Sequence, residues 1–182
     1  MNTPQLADLN TPQPGTYRID PGRSVIAFRT RHLFGLGAVH GTFRLDAGEI
    51  RVAEPVGSSA VRVTVDAASF DTGNPARDRT VRSDRLLGAG RNPVLTFASG
   101  GPARAGERWI LPGSLTVAGR SGPVELAIER AETDGAVLTA VASADIDRYA
   151  FGVTAMKGLA ARHLSFRIEI VAARRDDDGH RG

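Results

Sequence analysis

The side chains best able to bind a metal or move a proton near neutral pH are four histidines, His32, His40, His163 and His180. Their spacing matches no metal-ligand pattern. In an extended stretch over 24–32, alternate residues share a face. Ile26, Phe28, Thr30 and His32 then point one way, while Val25, Ala27, Arg29 and Arg31 point the other. Two arginines mark the second face as solvated. In the next run Val39, Gly41, Phe43 and Leu45 alternate with His40, Thr42 and Arg44, so His40 lies outside and His32 inside. The two do not converge on one ion. His32 has two readings, a hydrogen-bonding partner for the polar head of a ligand or a histidine satisfied within the core.

The remaining polar candidates point away from catalysis. Arg77 and Asp78 are adjacent, and adjacent residues on a helix do not share a face. Asp78 near a helix start suits the macrodipole without any ligand. Arg77 is either the partner of a polar head group at a cavity mouth or a solvated cation. Asp145 and Asp147 could share a face, but carboxylates at a strand end are usually solvated, and Arg148 beside them reads most simply as half of a rim salt bridge. There is no glycine-flanked nucleophile elbow, phosphate loop or dinucleotide fingerprint. The expectation is a protein that is not an enzyme and uses no metal and no cofactor.

Composition narrows the partners. A chain of 182 residues with 41% hydrophobic content can bury one sizeable core. Its 23 basic residues, of which only Lys157 is a lysine, are interspersed with 20 acidic ones to a net charge of +3, which gives poor support for nucleic-acid binding. With no cysteine, the fold rests on packing alone. Residues 1–15 hold three prolines, Asp8 and no apolar run, unlike a secretory signal. No stretch approaches the roughly 20 apolar residues of a membrane-spanning helix. A cytoplasmic protein without stable membrane insertion is expected, with residues 1–15 a flexible lead-in, 16–173 the folded domain, and 174–182, including Asp176, Asp177 and Asp178, a disordered tail.

These side chains must be positioned by strands. Period-two alternation marks 24–32, 39–45 and 61–67, where Val61, Val63, Val65 and Ala67 oppose Arg62, Thr64 and Asp66. Further strands are read at 94–99, 109–117, 124–129, 137–147 and 163–172, the last with Leu164, Phe166, Ile168 and Ile170 inward. The run 137–147 carries apolar residues on both faces, which leaves its orientation open. Pro112 implies an edge or a bulge. Between strands, Asn74 followed by Pro75 is a helix-start signal, and a helix over 75–87 is expected to lie on a barrel as a lid, with Ala76, Thr80, Ser83 and Leu87 on one face.

A set of landmarks in order gives this pattern a likeness. They begin with Tyr17-Arg18-Ile19-Asp20-Pro21, Ser24 and Phe28, then His32-Leu33, Gly35, Val39, Gly41 and Phe43. Val63 and Val65 lead into Ser69-Phe70-Asp71-Thr72-Gly73-Asn74, followed by Arg77-Asp78, Asn92-Pro93 and Thr96-Phe97. Gly113-Ser114-Leu115-Thr116-Val117-Ala118-Gly119 and Asp147-Arg148 to Phe151-Gly152 complete the set. Together they resemble the YceI-like family across about residues 17–173. Arg23, where the family usually has histidine, and Arg85-Leu86-Leu87 depart from its wording.

The resemblance implies an all-β fold, a single extended antiparallel barrel of about eight strands, lipocalin-like, with one short helix between strands. It also implies a long apolar amphiphile in the lumen, a polyisoprenoid, isoprenoid quinone or similar lipid that is carried, stored or sensed, and by analogy a homodimer. The residues expected to meet that ligand are Ile26, Phe28, His32, Phe43, Val63, Val65, Arg77, Phe97, Leu115 and Phe166. Inward aromatics are core until shown otherwise. Small inward residues such as Gly41 and Gly113, with aromatics at only 5% of the chain, favour an open lumen. The competing readings are an enzyme acting on such a lipid and a protein-interaction module with a filled barrel.

Overall fold

The computed structural model of the protein describes residues 12–30, 37–157 and 159–176. His32, the first eleven residues of the expected lead-in and residues 177–182 of the expected tail lie outside the described residues. In chain order the elements are β1 (Gly15–Ile19), β2 (Val25–Thr30), β3 (Val39–Val52), β4 (Ala60–Asp71), α1 (Pro75–Arg82), β5 (Val94–Ser99), β6 (Ala103–Ala105), β7 (Arg108–Val117), β8 (Arg120–Thr133), β9 (Val137–Asp147) and β10 (His163–Arg174).

Every pairing is antiparallel, and the sheet closes on itself because β10 pairs with both β9 and β2. The closed circuit β2-β3-β4-β5-β7-β8-β9-β10 is an eight-stranded barrel. β1 completes the stave that β2 begins. β2 holds the near halves of β10 and β3, through pairs such as Phe28 with Phe166 and with Gly41, and β1 holds their far halves through Ile19 with Ala172 and Tyr17 with Ile50. β6 is a short hairpin strand on β7 outside the circuit. Pro112 sits on β7 between the partners of β5 and those of β6, where a missing N–H breaks no ladder on that side.

The alternation read in sequence persists, with breaks. Val61, Val63 and Val65 of β4 face the lumen, but register shifts against β3 near Thr42 and Arg44 reverse the parity, and Phe70 points inward. A second shift near Leu45 and Ala47 turns Ile50 and Val52 inward on β3. β9, whose faces the sequence left open, presents Leu138, Ala140, Ala144 and Ile146 to the lumen.

Two local expectations are corrected. α1 has eight residues, ending at Arg82, where the expected helix ran to 87. Asn74 caps its start by accepting from the Arg77 N–H, and Pro75 occupies the first turn. At its end Ser83 takes extended backbone and its hydroxyl donates to the Thr80 carbonyl, a local hydrogen bond that competes with continued helix. Leu86 and Leu87 then reach the core from turns instead of from a helix face. The folded boundaries also shift slightly, since Gly15 opens β1, Arg174 closes β10, and Arg175 donates to the Thr16 carbonyl and pairs with Glu49 at 3.0 Å.

Candidate functional site

The barrel encloses a cavity of about 870 Å³ that runs its length. At one end it reaches Ala76, Arg77 and Thr80 of α1 and the connection between β9 and β10; at the other it reaches Val56, Gly100, Pro102 and Trp109. Among the described residues that line it, the only charged ones are Arg77 and Arg148. Its size is within the roughly 300–1,000 Å³ of ordinary small-molecule pockets.

Every described residue expected to meet a ligand lines this cavity: Ile26, Phe28, Phe43, Val63, Val65, Arg77, Phe97, Leu115 and Phe166. They come from β2, β3, β4, α1, β5, β7 and β10, and barrel closure is what gathers them. Phe28, Phe43, Phe70 and Phe166 form one aromatic group, with ring centroids 5.2 Å apart for Phe28 and Phe70 and 5.8 Å for Phe28 with each of the other two. Phe70 and Phe151 also line the cavity. Only a bulge brings Phe70 in, and bulges leave little trace in residue type.

The role given to glycines in sequence is corrected. A methyl group at Gly41 would overlap the Phe28 ring, and one at Gly113 would lie 2.5 Å from Cζ of Phe97. These glycines seat aromatic rings from neighbouring strands and do not open the lumen. What leaves space is the aliphatic lining of the remaining staves, with Val63, Leu95, Leu126, Ala140, Ala142 and Ile168 among it.

The two arginines differ. The Arg148 guanidinium donates to four backbone carbonyls, those of Ala161 at 2.8 Å, Val153 at 2.6 Å, Ala155 at 2.9 Å and Ala160 at 3.3 Å. Among the described residues it makes no rim salt bridge; its donors are spent tying the 148–162 connection across the barrel end. Burial pushes its pKa below the ordinary arginine value, with Tyr149 and Asp147 opposing that. Arg77 projects from an exposed position on α1 and has no carboxylate partner among the described residues.

The described carboxylates nearby are held in hydrogen bonds and ion pairs that fasten the barrel end. Asp78, 4% exposed, accepts from the backbone N–H of Thr72 at 3.0 Å and from its hydroxyl at 2.6 Å, fastening α1 to the end of β4. Burial acts to raise its pKa, but these hydrogen bonds and the Arg82 charge outweigh it and hold the carboxyl below its ordinary value. Arg82 in turn donates to the Phe70 carbonyl. Asp147 caps the turn at Tyr149 and pairs with Arg162 at 2.6 Å, which brings its pKa down to about 2. Asp145 accepts from Ser165 on the outer face, while Asp147 is held by Arg162. Among the described residues no group of histidine and carboxylate side chains is arranged to hold a metal.

Comparison with known proteins agrees with this architecture. A model of the YceI-like domain matches residues 17–172. A UPF0312 protein of Photorhabdus laumondii is 32% identical over 127 residues, which cover 68% of this chain and 66% of that protein. A UPF0312 protein of Serratia proteamaculans is 34% identical over 113 residues, 60% of this chain and 58% of the relative, so the match spans less than two thirds of either relative's length. Among solved structures, BcnA of Burkholderia cenocepacia superimposes with a TM-score of 0.74 at 22% identity, covering 85% of this chain and 99% of BcnA. A polyisoprenoid binding domain from Saccharophagus degradans gives a TM-score of 0.63 at 14% identity, covering 90% of this chain and all of that one (100%). At such identities the structural likeness speaks for the fold, and the family match for descent. The chain belongs to the YceI-like family.

Proposed function

We propose that the protein binds one long apolar amphiphile, a polyisoprenoid, isoprenoid quinone or similar lipid, along its lumen, as a carrier, store or sensor and not as a catalyst. The observation that carries this reading is the cavity of about 870 Å³ whose described lining has only Arg77 and Arg148 as charged groups. Such a lining rewards burial of hydrocarbon at about 0.8 kcal/mol per methylene. Phe28, Phe43, Val63, Val65, Phe97 and Phe166 pack along the chain of the ligand, and Arg77, whose donors are not spent as those of Arg148 are, faces its head. An open lumen counts against a filled barrel that serves only as an interaction module. The naming of the Saccharophagus degradans domain as polyisoprenoid-binding points the same way.

The test is displacement of a bound fluorescent fatty probe by unbranched alcohols and polyprenols of increasing length. Affinity should rise about fourfold for each added methylene until the lumen is full. Affinity independent of length, or uptake that never saturates, would contradict the reading.

A further inference from the structure

We infer that the barrel end bearing α1 and the 148–162 connection is a docking face for an anionic lipid bilayer, across which the lumen exchanges its occupant. This rests on reading the lumen as a lipid site. The cavity meets the surface at this end, where Ala76, Arg77 and Leu159 line it while remaining exposed.

The charges of the chain are unevenly placed. Between β4 and β5 stand Arg77, Arg79, Arg82, Arg85 and Arg91 against Asp78 and Asp84. Between β9 and β10 stand Arg148, Lys157 and Arg162 with no carboxylate, and Arg120 opens β8 beside them. Each described carboxylate at this rim is already engaged: Asp71 by the Gly73 N–H, Asp78 by Thr72, Asp84 by Arg91 and Asp147 by Arg162. Arg77, Arg79, Arg85, Arg120 and Lys157 are exposed and lack a carboxylate partner among the described residues. Among the described residues nine cations thus meet four carboxylates at this rim, a surplus larger than the +3 of the whole chain, so the remaining residues sum to a net negative charge. The opposite rim balances Arg104, Arg108, Arg174 and Arg175 against Glu54, Glu107, Asp134 and Asp176.

Within the cationic rim Leu159 is 73% exposed, the most exposed large apolar side chain among the described residues. The Tyr149 ring holds Arg148, Lys157 and Arg162 around it at 4.9, 5.3 and 4.9 Å. An apolar tip amid unpaired cations matches the chemistry of an anionic lipid interface, where charge attracts and the apolar group enters. A lipid leaving the lumen at this end would pass into that interface without crossing water.

The test is sedimentation of the protein with vesicles of phosphatidylcholine alone and of an equimolar mixture with phosphatidylglycerol. The protein should partition onto the mixed vesicles, release as salt is raised, and ignore the neutral ones. Each cation near such a surface is worth about fivefold in partitioning, so the triple variant Arg79→Glu, Arg85→Glu, Lys157→Glu should lose at least about a hundredfold. None of those three side chains lines the lumen, so its uptake of a fluorescent fatty probe in solution should match the parent protein. Equal partitioning on both vesicle types, none on either, or an unaltered triple variant would overturn the docking face. Absent probe uptake with intact vesicle binding would instead remove the lumen reading and leave a surface that docks without cargo.

Discussion

The Phe28 ring on β2 lies over Gly41 of β3, its register partner, so that a methyl group at Gly41 would overlap the ring and come within 2.7 Å of the Asp71 carbonyl oxygen. The ring cannot move outward, because the sheet backbone is behind it. Gly41→Ala should therefore push Phe28 into the lumen or spread β3 from β4. Overpacking of this kind costs about 1–3 kcal/mol, which for a chain of this size lowers Tm by roughly 2–12 °C. Thermal melting followed by circular dichroism checks it, and an unchanged Tm would mean that the seat is looser than the geometry shows.

Adjacent residues of β4 test the register. Val63 faces the cavity and Arg62 is exposed on the outer face. Val63→Glu places a charge among hydrocarbon and should abolish uptake of a fluorescent fatty probe, while Arg62→Glu should leave uptake within about twofold, as surface substitutions usually change little. Equal behaviour of the two variants would reverse the assigned faces.

The two lumen arginines should separate in their effects. Arg148→Gln leaves several backbone carbonyls of the 153–161 stretch without donors, and should lower stability by about 1–3 kcal/mol and speed amide exchange in that stretch. Arg77→Gln, which breaks no such bond, should leave stability unaltered and weaken binding of a fatty acid more than of the alcohol of equal length. Hydrogen exchange and paired probe displacement read the two effects independently.

Acid should release the lid through Asp78. Its folded pKa lies below the ordinary value of 3.8, so its carboxylate stabilises the fold fully above that value and loses this contribution as pH falls through the lower folded value. Asp78→Asn should accordingly cost about 1–3 kcal/mol at neutral pH, since Thr72 loses a charged acceptor. The difference between variant and parent in urea unfolding should shrink as the pH is taken well below 4. A difference that grows in acid would contradict the assignment.

The lumen was legible in the sequence because a strand with one wet face repeats every two residues, and eight of the expected contact residues lie on such runs, from Ile26 and Phe28 to Phe166. Arg77 was reached through the helix signal of Asn74 and Pro75. Bulges hid the rest. A shift of one residue reverses every face beyond it, and Phe70, Ile50 and Val52 lie beyond such shifts on β3 and β4. β9 carries Ala140, Ala142 and Ala144 inward, residues too small and too common on either face to declare a direction. The roles of Gly41 and Gly113 depended on which ring a neighbouring strand would place over them, which strand order alone decides. The role of Arg148 is hidden for a related reason, since its four carbonyl partners belong to a connection whose path no local pattern records.

Occupancy of the lumen by one long apolar molecule is tested by mass spectrometry of the protein kept folded in the spectrometer, followed by organic-solvent extraction of the same sample. An added mass is expected at near one per chain, leaving with the extract as a polyisoprenoid, a quinone bearing such a chain or a comparable lipid. Repeated absence of any such molecule, together with failure of the extracted and refolded protein to take up added polyprenol or quinone, would contradict it.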